Sequence, residues 1–464
     1  MKRPPELFDR ESEWSDLESF IEQRGPGTRL ALVRGRRRQG KSYLLRRLAD
    51  VAGGFYYQAV EEEQSQALAG FGAALGDYLS VPGGRLAVDS WEDVLTALGD
   101  LPSQGGNAVV VIDEFPYLLS HSPELPSLLQ RFIDRTRDNG GALRLILCGS
   151  ALSVMAGLLE GTQALRGRAS TDVVVRTFDY RTSAEFWGIT DPATAFLVHS
   201  VVGGTPGYRD LLPANPPKRP GDFAKWLAAG PLSPASALFR EDDYLLTEER
   251  SLSDRALYHA VVAAIASGKT NQTAVAQALG REQRSVQHPL RALEDAGFVA
   301  ATDDALRSRR PIYQIADPIV RFHHVVTRRD LARFEDRRTA EAWDDAQPRF
   351  RTHVLGPHFE SLAREFTFRF ASSDTVGGQV ASVGPAVVND TAQRTQHEVD
   401  VVALAREQDG SSRVLSIGEA KHTASKRTLN DLVRLDGLRE LIAKKQPSAA
   451  TSKHSSSFAA TATR

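Results

Sequence analysis

The 464-residue chain holds a single cysteine, Cys148, which rules out an internal disulfide and any cysteine-rich zinc site. No apolar run approaches the ~20 residues a membrane span needs. Met1-Lys2-Arg3-Pro4-Pro5 leads into no apolar core of the secretory kind. These absences point to the cytoplasm and to no membrane partner. Net charge is nearly missing too: 57 Lys and Arg against 58 Asp and Glu leave −1. A globally basic nucleic-acid surface is therefore excluded. The cations are mostly arginine and they cluster, at 36–38, 46–47, 307–310 and 328–338, so any DNA must be held by local patches. Hydrophobic content of 41% and charged content of 25% are those of a globular protein. At ~150 residues per domain the length suggests about three domains.

What is present begins with Arg29 to Ser42. Leu30 to Val33 is an apolar run that predicts a buried strand, and Gly35 to Ser42 follow with the G-x-x-x-x-G-K-[ST] spacing. Gly35 and Gly40 allow the main chain to curl, so that the backbone of Arg36, Arg37, Arg38 and Gln39 turns its N–H groups toward phosphate oxygens. Lys41 reaches the β- and γ-phosphates and the Ser42 hydroxyl ligates Mg²⁺. From Tyr43 a helix continues with its positive end toward the anion. An Arg-rich surface turn is the bland alternative, and the strand-before, helix-after context favours a nucleoside triphosphate, ATP with Mg²⁺.

Ala108 to Glu114 reads as a second buried strand that ends in paired acids, at the sheet edge where ligands bind. Asp113 would hold the Mg²⁺ shell and Glu114 would act as general base on the attacking water. Gly54 to Ala59, Leu143 to Cys148 and Val173 to Arg176 are further strands. Ser150 follows the second of these, Leu143 to Cys148, as a sensor of the γ-phosphate or the lytic water, or equally as a helix cap. Arg168 is either an arginine finger toward a neighbouring subunit or a solvated loop residue. Phe8 and Arg10 fit packing near a base as well as an ordinary helix entry. A mostly helical lid follows, with Gly203-Gly204-Thr205-Pro206 as a rigid turn against a base or merely a helix break.

A Phe-x-Arg-Glu entry, phosphate loop, Val-Ile-Asp-Glu-Phe, Gly-Ser strand end, Gly-Arg loop and Gly-Gly-x-Pro, in that order, resemble the archaeal-type P-loop ATPases. These AAA-like, STAND-related proteins also occur in bacteria. The resemblance implies that Pro206 contacts the base and that Arg168 is the family's loop arginine. Leu252 to Ile315 fits a winged helix, with helices at 256–265, 272–279 and 283–296 and a hairpin closing them. If it reads DNA, Arg284, Gln287 and Arg291 enter the major groove while Arg307, Arg309 and Arg310 hold phosphates. A protein-binding winged helix is the alternative.

From Phe350 the pattern changes. Asp400 on one strand and Glu419-Ala420-Lys421 ending the next resemble the arrangement of PD-(D/E)xK nucleases. There Asp400 and Glu419 bind Mg²⁺, Lys421 orients or activates water, and Glu360 on the preceding helix completes the site. The expected fold is α/β, a doubly wound parallel P-loop NTPase sheet (1–177) with a helical lid (178–250). A winged helix (251–316), a helical connector (317–349), a nuclease-like α/β domain (350–446) and a disordered tail (447–464) follow. The expected function is an Mg²⁺-dependent ATPase coupled to DNA binding, with metal-dependent cleavage as a further activity; homo-oligomers are compatible with it. The alternative is a nucleotide-gated signalling switch whose C-terminal domain binds a protein partner and cuts nothing.

Overall fold

The computed structural model describes residues 1–101, 107–137, 142–249, 252, 254–307, 309–390, 393–423, 428–445 and 454–461. They fall into two compact units that the chain enters more than once. The first comprises Met1–Thr182, Thr205–Arg209 and Leu245–Ser253; the second comprises Ser183–Gly204, Asp210–Tyr244 and Asp254–Arg464. The expected lid, 178–250, is thus divided between the units. Among the described residues no helix is long and apolar enough to cross a membrane.

The first unit is built on five parallel strands: β1 (Arg29–Arg34), β2 (Phe55–Gln58), β3 (Ala108–Asp113), β4 (Leu143–Gly149) and β5 (Ala169–Val174), in the order β2-β3-β4-β1-β5. Successive residues of a strand face opposite sides, so a sheet covered on both faces needs continuous apolar runs. Leu30, Leu32, Val110, Ile112, Leu145 and Leu147 pack on one face, against helices Gln64–Tyr78, Trp91–Gly99 and Leu125–Thr136. Ala31, Val33, Val109, Val111, Ile146 and Cys148 pack on the other, against Glu11–Glu22 and Lys41–Ala52. β5 begins at Ala169, directly after Arg168, rather than at Val173 as expected. It is an edge strand whose Ser170 and Asp172 are exposed, so it lacks the apolar signature of its neighbours.

In the second unit, helices Arg255–Ala266, Gln272–Ala278 and Gln287–Asp295 precede an antiparallel hairpin of β6 (Val299–Asp303) and β7 (Pro311–Ile315). The expected third helix divides, its first turn Gln283–Val286 being 3₁₀. A second sheet follows: β8 (Ser382–Asp390), β9 (Thr395–Arg406), β10 (Ser412–Thr423) and β11 (His454–Thr461), ordered β11-β10-β9-β8. Helix Leu429–Lys445 covers one face through Leu435, Leu438 and Ile442. Helix Gly356–Arg369 packs Ala363 against Val401 and Ala420 on the other. β11 overturns the expectation of a structureless tail at 454–461: it runs parallel to β10 from Ser416↔His454 to Thr423↔Thr461. Residues 446–453 and 462–464 of that expected tail lie outside the described residues.

Candidate active site

The loop at Gly35 exists because nothing larger fits there. A Cβ at Gly35 would lie 2.3 Å from the Val175 carbonyl oxygen. Arg38 and Gly40 take left-handed backbone, φ 65° and 87°, and these make the curl. Gly40 caps helix Lys41–Ala52, so that helix's first N–H groups have no partner within it and are free for an anion. Lys41 is buried, and its ammonium lies across the loop, donating to the Arg36 carbonyl at 3.0 Å. Ser42 is half-buried beside it, and Tyr43 is exposed under the Arg47 guanidinium, 5.3 Å from the ring centroid. Thr205–Arg209 belongs to the same unit and closes on the loop. The Gly207 N–H donates to the Arg38 carbonyl at 3.0 Å. A Cβ on Gly40 would touch Pro206 Cγ at 3.8 Å. Arg10 donates to the Gln39 carbonyl at 3.0 Å and lies over the Phe178 ring, which Phe8 meets edge-on at 5.5 Å. The entry segment therefore braces the loop from outside.

Asp113 and Glu114 follow at the C-terminal end of β3. Asp113 is fully buried; its Oδ2 accepts from the Tyr56 hydroxyl at 2.7 Å and its Oδ1 from the Glu114 N–H at 2.9 Å. Burial, and then the Asp113 charge, pushes the Tyr56 phenol far up, so it stays a neutral donor. Glu114 sits at φ 52°, a left-handed position that costs a non-glycine residue on the order of 1–3 kcal/mol and gathers at functional sites. Its Oε2 accepts from Ser150 Oγ at 2.9 Å and from the Ser150 N–H at 3.3 Å. The helix after β4 starts at Leu152 with Ala151 at its cap, so Ser150 is no helix cap and instead holds the acid. A cleft of about 220 Å³ opens beside the pair, lined by Glu114, Tyr117, Ser150 and Val154 among others. Curled backbone donors, a lysine, a hydroxyl and a buried carboxylate fit a triphosphate with a hard divalent ion.

A second cluster lies on the C-terminal sheet, where β9 and β10 bring Asp400 and Glu419 together; both are buried. Asp400 Oδ2 accepts from the Ala420 N–H at 2.8 Å. Lys421 Nζ stands 3.5 Å from Asp400 Oδ2 and 3.2 Å from Glu419 Oε1. Arg434 approaches the same Glu419 oxygen at 3.1 Å, and Arg364 donates to the Asp400 carbonyl at 2.9 Å. Glu360 faces this group from helix Gly356–Arg369, and burial, reinforced by the Asp400 charge, raises its carboxyl to about 7. Asp400, Glu419 and Glu360 offer oxygen donors only, the kind a hard ion takes, and two of them are already paired with Lys421 and Arg434.

The remaining candidates are surface residues. Arg284, Gln287 and Arg291 are exposed while Val286, Pro289, Leu290 and Leu293 face the core, and Arg291 reaches Asp295 at 3.9 Å. Arg309 and Arg310 are exposed and Arg307 half-buried, on a hairpin loop whose base is not free. Asp304 accepts from the Leu306 N–H at 2.9 Å and from the Val387 N–H of β8 at 3.0 Å, and the Ala305 N–H donates to the Pro385 carbonyl at 2.9 Å.

Residues 7–207 match a family model described as an ATPase domain predominantly from Archaea. This part of the chain is a P-loop ATPase domain. Over 406 residues, 86% of the chain, it is 23% identical to the uncharacterized protein MJECL04 of Methanocaldococcus jannaschii, of which the match covers 84%. Among solved structures it is similar to the Walker-type ATPase PABY2304 of Pyrococcus abyssi, with a TM-score of 0.54 and 22% identity over 69% of this chain and 97% of that one. The Aeropyrum pernix ORC2 protein in its ADPNP–ADP complexes follows at a TM-score of 0.46 and 15% identity, over 71% of this chain and 97% of that one.

Within the ATPase domain the structure brings Lys41, Ser42, Asp113, Glu114, Ser150 and Pro206 to one end of the sheet. Arg168 it does not. Ala169 pairs with Leu30, at the start of β1, whereas the phosphate loop leaves the strand's far end after Arg34. Arg168 there forms a paired contact with Asp134, 2.8 and 3.0 Å, which raises its guanidinium pKa and lowers that of the carboxyl. Sequence reading missed Tyr56, whose role depends on β2 lying beside β3. It also missed Arg364 and Arg434, which sit on helices folded back over the C-terminal sheet.

Proposed function

We propose that the chain is an Mg²⁺-dependent ATPase that couples ATP binding and hydrolysis to DNA binding. The observation that carries the chemistry is the Glu114 carboxylate, held by Ser150 next to a fully buried Asp113. Lys41 and the loop N–H groups would hold the phosphates, while Ser42 and Asp113 would hold Mg²⁺, which when bound neutralises phosphate charge. Glu114 would take the proton from the attacking water. Pro206 and Gly207 rest on the loop, and on both sides of Thr205–Arg209 the chain passes into the second unit. That connectivity supports a route by which the nucleotide state reaches the remainder of the chain.

The DNA reading rests on the exposed face of Arg284, Gln287 and Arg291, on the last helix of a three-helix and hairpin arrangement that resembles a winged helix. Arg307, Arg309 and Arg310 would add phosphate contacts. Fluorescence anisotropy on labelled duplex DNA, with and without a nonhydrolysable ATP analogue, is the test. Replacing the three face residues by Ala should weaken binding and flatten its salt dependence; retention equal to wild type at every salt concentration rejects the DNA role.

The Asp400–Glu419–Lys421 cluster with Glu360 supports metal-dependent cleavage as a second activity, since its donors are all oxygen and Lys421 stands among them. Nicking of plasmid DNA in Mg²⁺ that disappears in Asp400→Ala with Glu419→Ala is the expected result. No nicking by the unaltered protein would favour the signalling switch that recruits a partner without cutting.

A further inference from the structure

Away from both sites, within the second unit, three elements converge on a small buried polar cluster. Asp242 stands at the start of helix Glu241–Glu248, His259 is on helix Arg255–Ala266, and His324 is on a π-helical turn, His323–Thr327. One ligating atom from each lies within 4.8 Å of the others. Asp242 is wholly buried and the His324 side chain is 1% exposed. Asp242 Oδ1 and both ring nitrogens of His324 have no hydrogen-bond partner. An unmet buried polar atom costs about 1–3 kcal/mol, so a carboxylate oxygen and an imidazole left unmet in one buried cluster call for a partner. Single-turn π distortions of a helix also gather at functional positions.

We propose that Asp242, His259 and His324 form a binding site for one borderline divalent cation of the Zn²⁺ class. One carboxylate and two imidazoles are the donor set such ions prefer, whereas Mg²⁺ and Ca²⁺ prefer oxygen alone. Ligands of a tetrahedral Zn²⁺ ion lie ~3.3 Å apart, so closure needs a contraction of about 1 to 1.5 Å from the widest spacing. His324 Nε2 already stands 3.6 Å from Asp242 Oδ2. Burial lowers the His324 imidazole to about 3, so it is neutral. Burial works to raise the Asp242 carboxyl, but the hydrogen bond and charge of His323, together with His324 and Arg328, lower it.

His323 orients the carboxylate from behind: its Nδ1 is 2.5 Å from Asp242 Oδ2, and its Nε2 donates to the Phe239 carbonyl at 3.0 Å. Arg328 faces the cluster from the solvent side, with Nη1 2.7 Å from His259 Nδ1, 3.2 Å from Asp243 Oδ1 and 4.0 Å from Asp242 Oδ2. Its side chain is 39% exposed. On metal binding the guanidinium turns outward to Asp243, and the ion takes over the attraction to the buried carboxylate. Three protein ligands leave a coordination position for water, and the ion would clamp the first helix of the three-helix module to the segment that follows the module.

The test uses tag-free full-length protein carrying Asp400→Ala and Glu419→Ala, which removes the other carboxylate cluster. After chelator treatment, dialysis and addition of Zn²⁺, bound metal is counted by mass spectrometry and Co²⁺ is read by visible absorption. About one equivalent of Zn²⁺ that excess Mg²⁺ does not displace, with intense tetrahedral Co²⁺ bands, is expected. His324→Ala or Asp242→Asn should abolish both signals while ATP turnover confirms a folded chain. Arg328→Gln should keep the equivalent and tighten it, because a competing cation is gone. Uptake of no Zn²⁺ by the parent, uptake unchanged in His324→Ala, or uptake lost in Arg328→Gln would each overturn the site and leave an ion-pair network.

Discussion

Glu114 and Ser150 act on one another, and their effects should not add. Glu114→Gln removes the base and should lower phosphate release by ~10²–10⁴-fold while nucleotide binding persists. Ser150→Ala removes the hydroxyl that holds Glu114 Oε2 at 2.9 Å and should lower turnover by about tenfold. The double variant should be no slower than Glu114→Gln alone, because both changes disable one device. Additive losses would mean that Ser150 acts elsewhere. Glu360 offers a pH signature. Its folded pKa is raised, by burial and then by Asp400, to about 7 from an ordinary 4.5. Its stabilising share is therefore fully present below pH ~4.5 and lost as pH rises through ~7, a swing on the order of 3 kcal/mol at most. Glu360→Gln, neutral throughout, should flatten that decline; equal urea midpoints for variant and wild type at pH 5 and at pH 8 would contradict it. The loop residues, the acid pair and the Asp400, Glu419, Lys421 set were legible from spacing because chemistry demands those residue types. Tyr56 was not, since any strand can carry a tyrosine.

At the scale of elements, legibility followed burial. β1, β3 and β4 are covered on both faces and announce themselves as continuous apolar runs. The β5 edge strand carries Ser170, Thr171 and Asp172, so the apolar Val173 to Val175 drew the expected strand too far along. β8 holds Gly384 and Pro385, which blur a strand pattern and which an edge strand tolerates at its register shift. β11 reads by composition as a tail of serine, alanine and threonine; pairing with β10 makes it a strand. The hairpin between β6 and β7 is tied to β8 by Asp304, which no periodicity could announce. Asp304→Ala would strand the Val387 N–H and should destabilise the second unit by about 1–3 kcal/mol in chemical denaturation. No change would show that water replaces the carboxylate there.

At the scale of the whole molecule the open question is which chain an arginine serves. Arg168 lies at the edge of the sheet opposite its own phosphate loop, so any catalytic role must be toward a second copy. Mixing Lys41→Ala chains, which keep Arg168, with Arg168→Ala chains, which keep the loop, should restore part of the ATP turnover that neither has alone. Absence of recovery at any mixing ratio would leave Arg168 as the structural partner of Asp134.

The linear order of residues by itself determined the phosphate loop, the acid pair, the fold class of the first unit and the identity of the C-terminal carboxylates. Each is a local demand, on backbone freedom, on burial of both strand faces or on ligand chemistry, that neighbouring residues must meet. Only the tertiary structure decided that Ser150 holds Glu114, that Thr205–Arg209 returns to the loop, that Arg168 faces away, and that Asp242, His259 and His324 meet. Those are distances between residues far apart along the chain, fixed by how helices and sheets pack, and no short-range pattern encodes them.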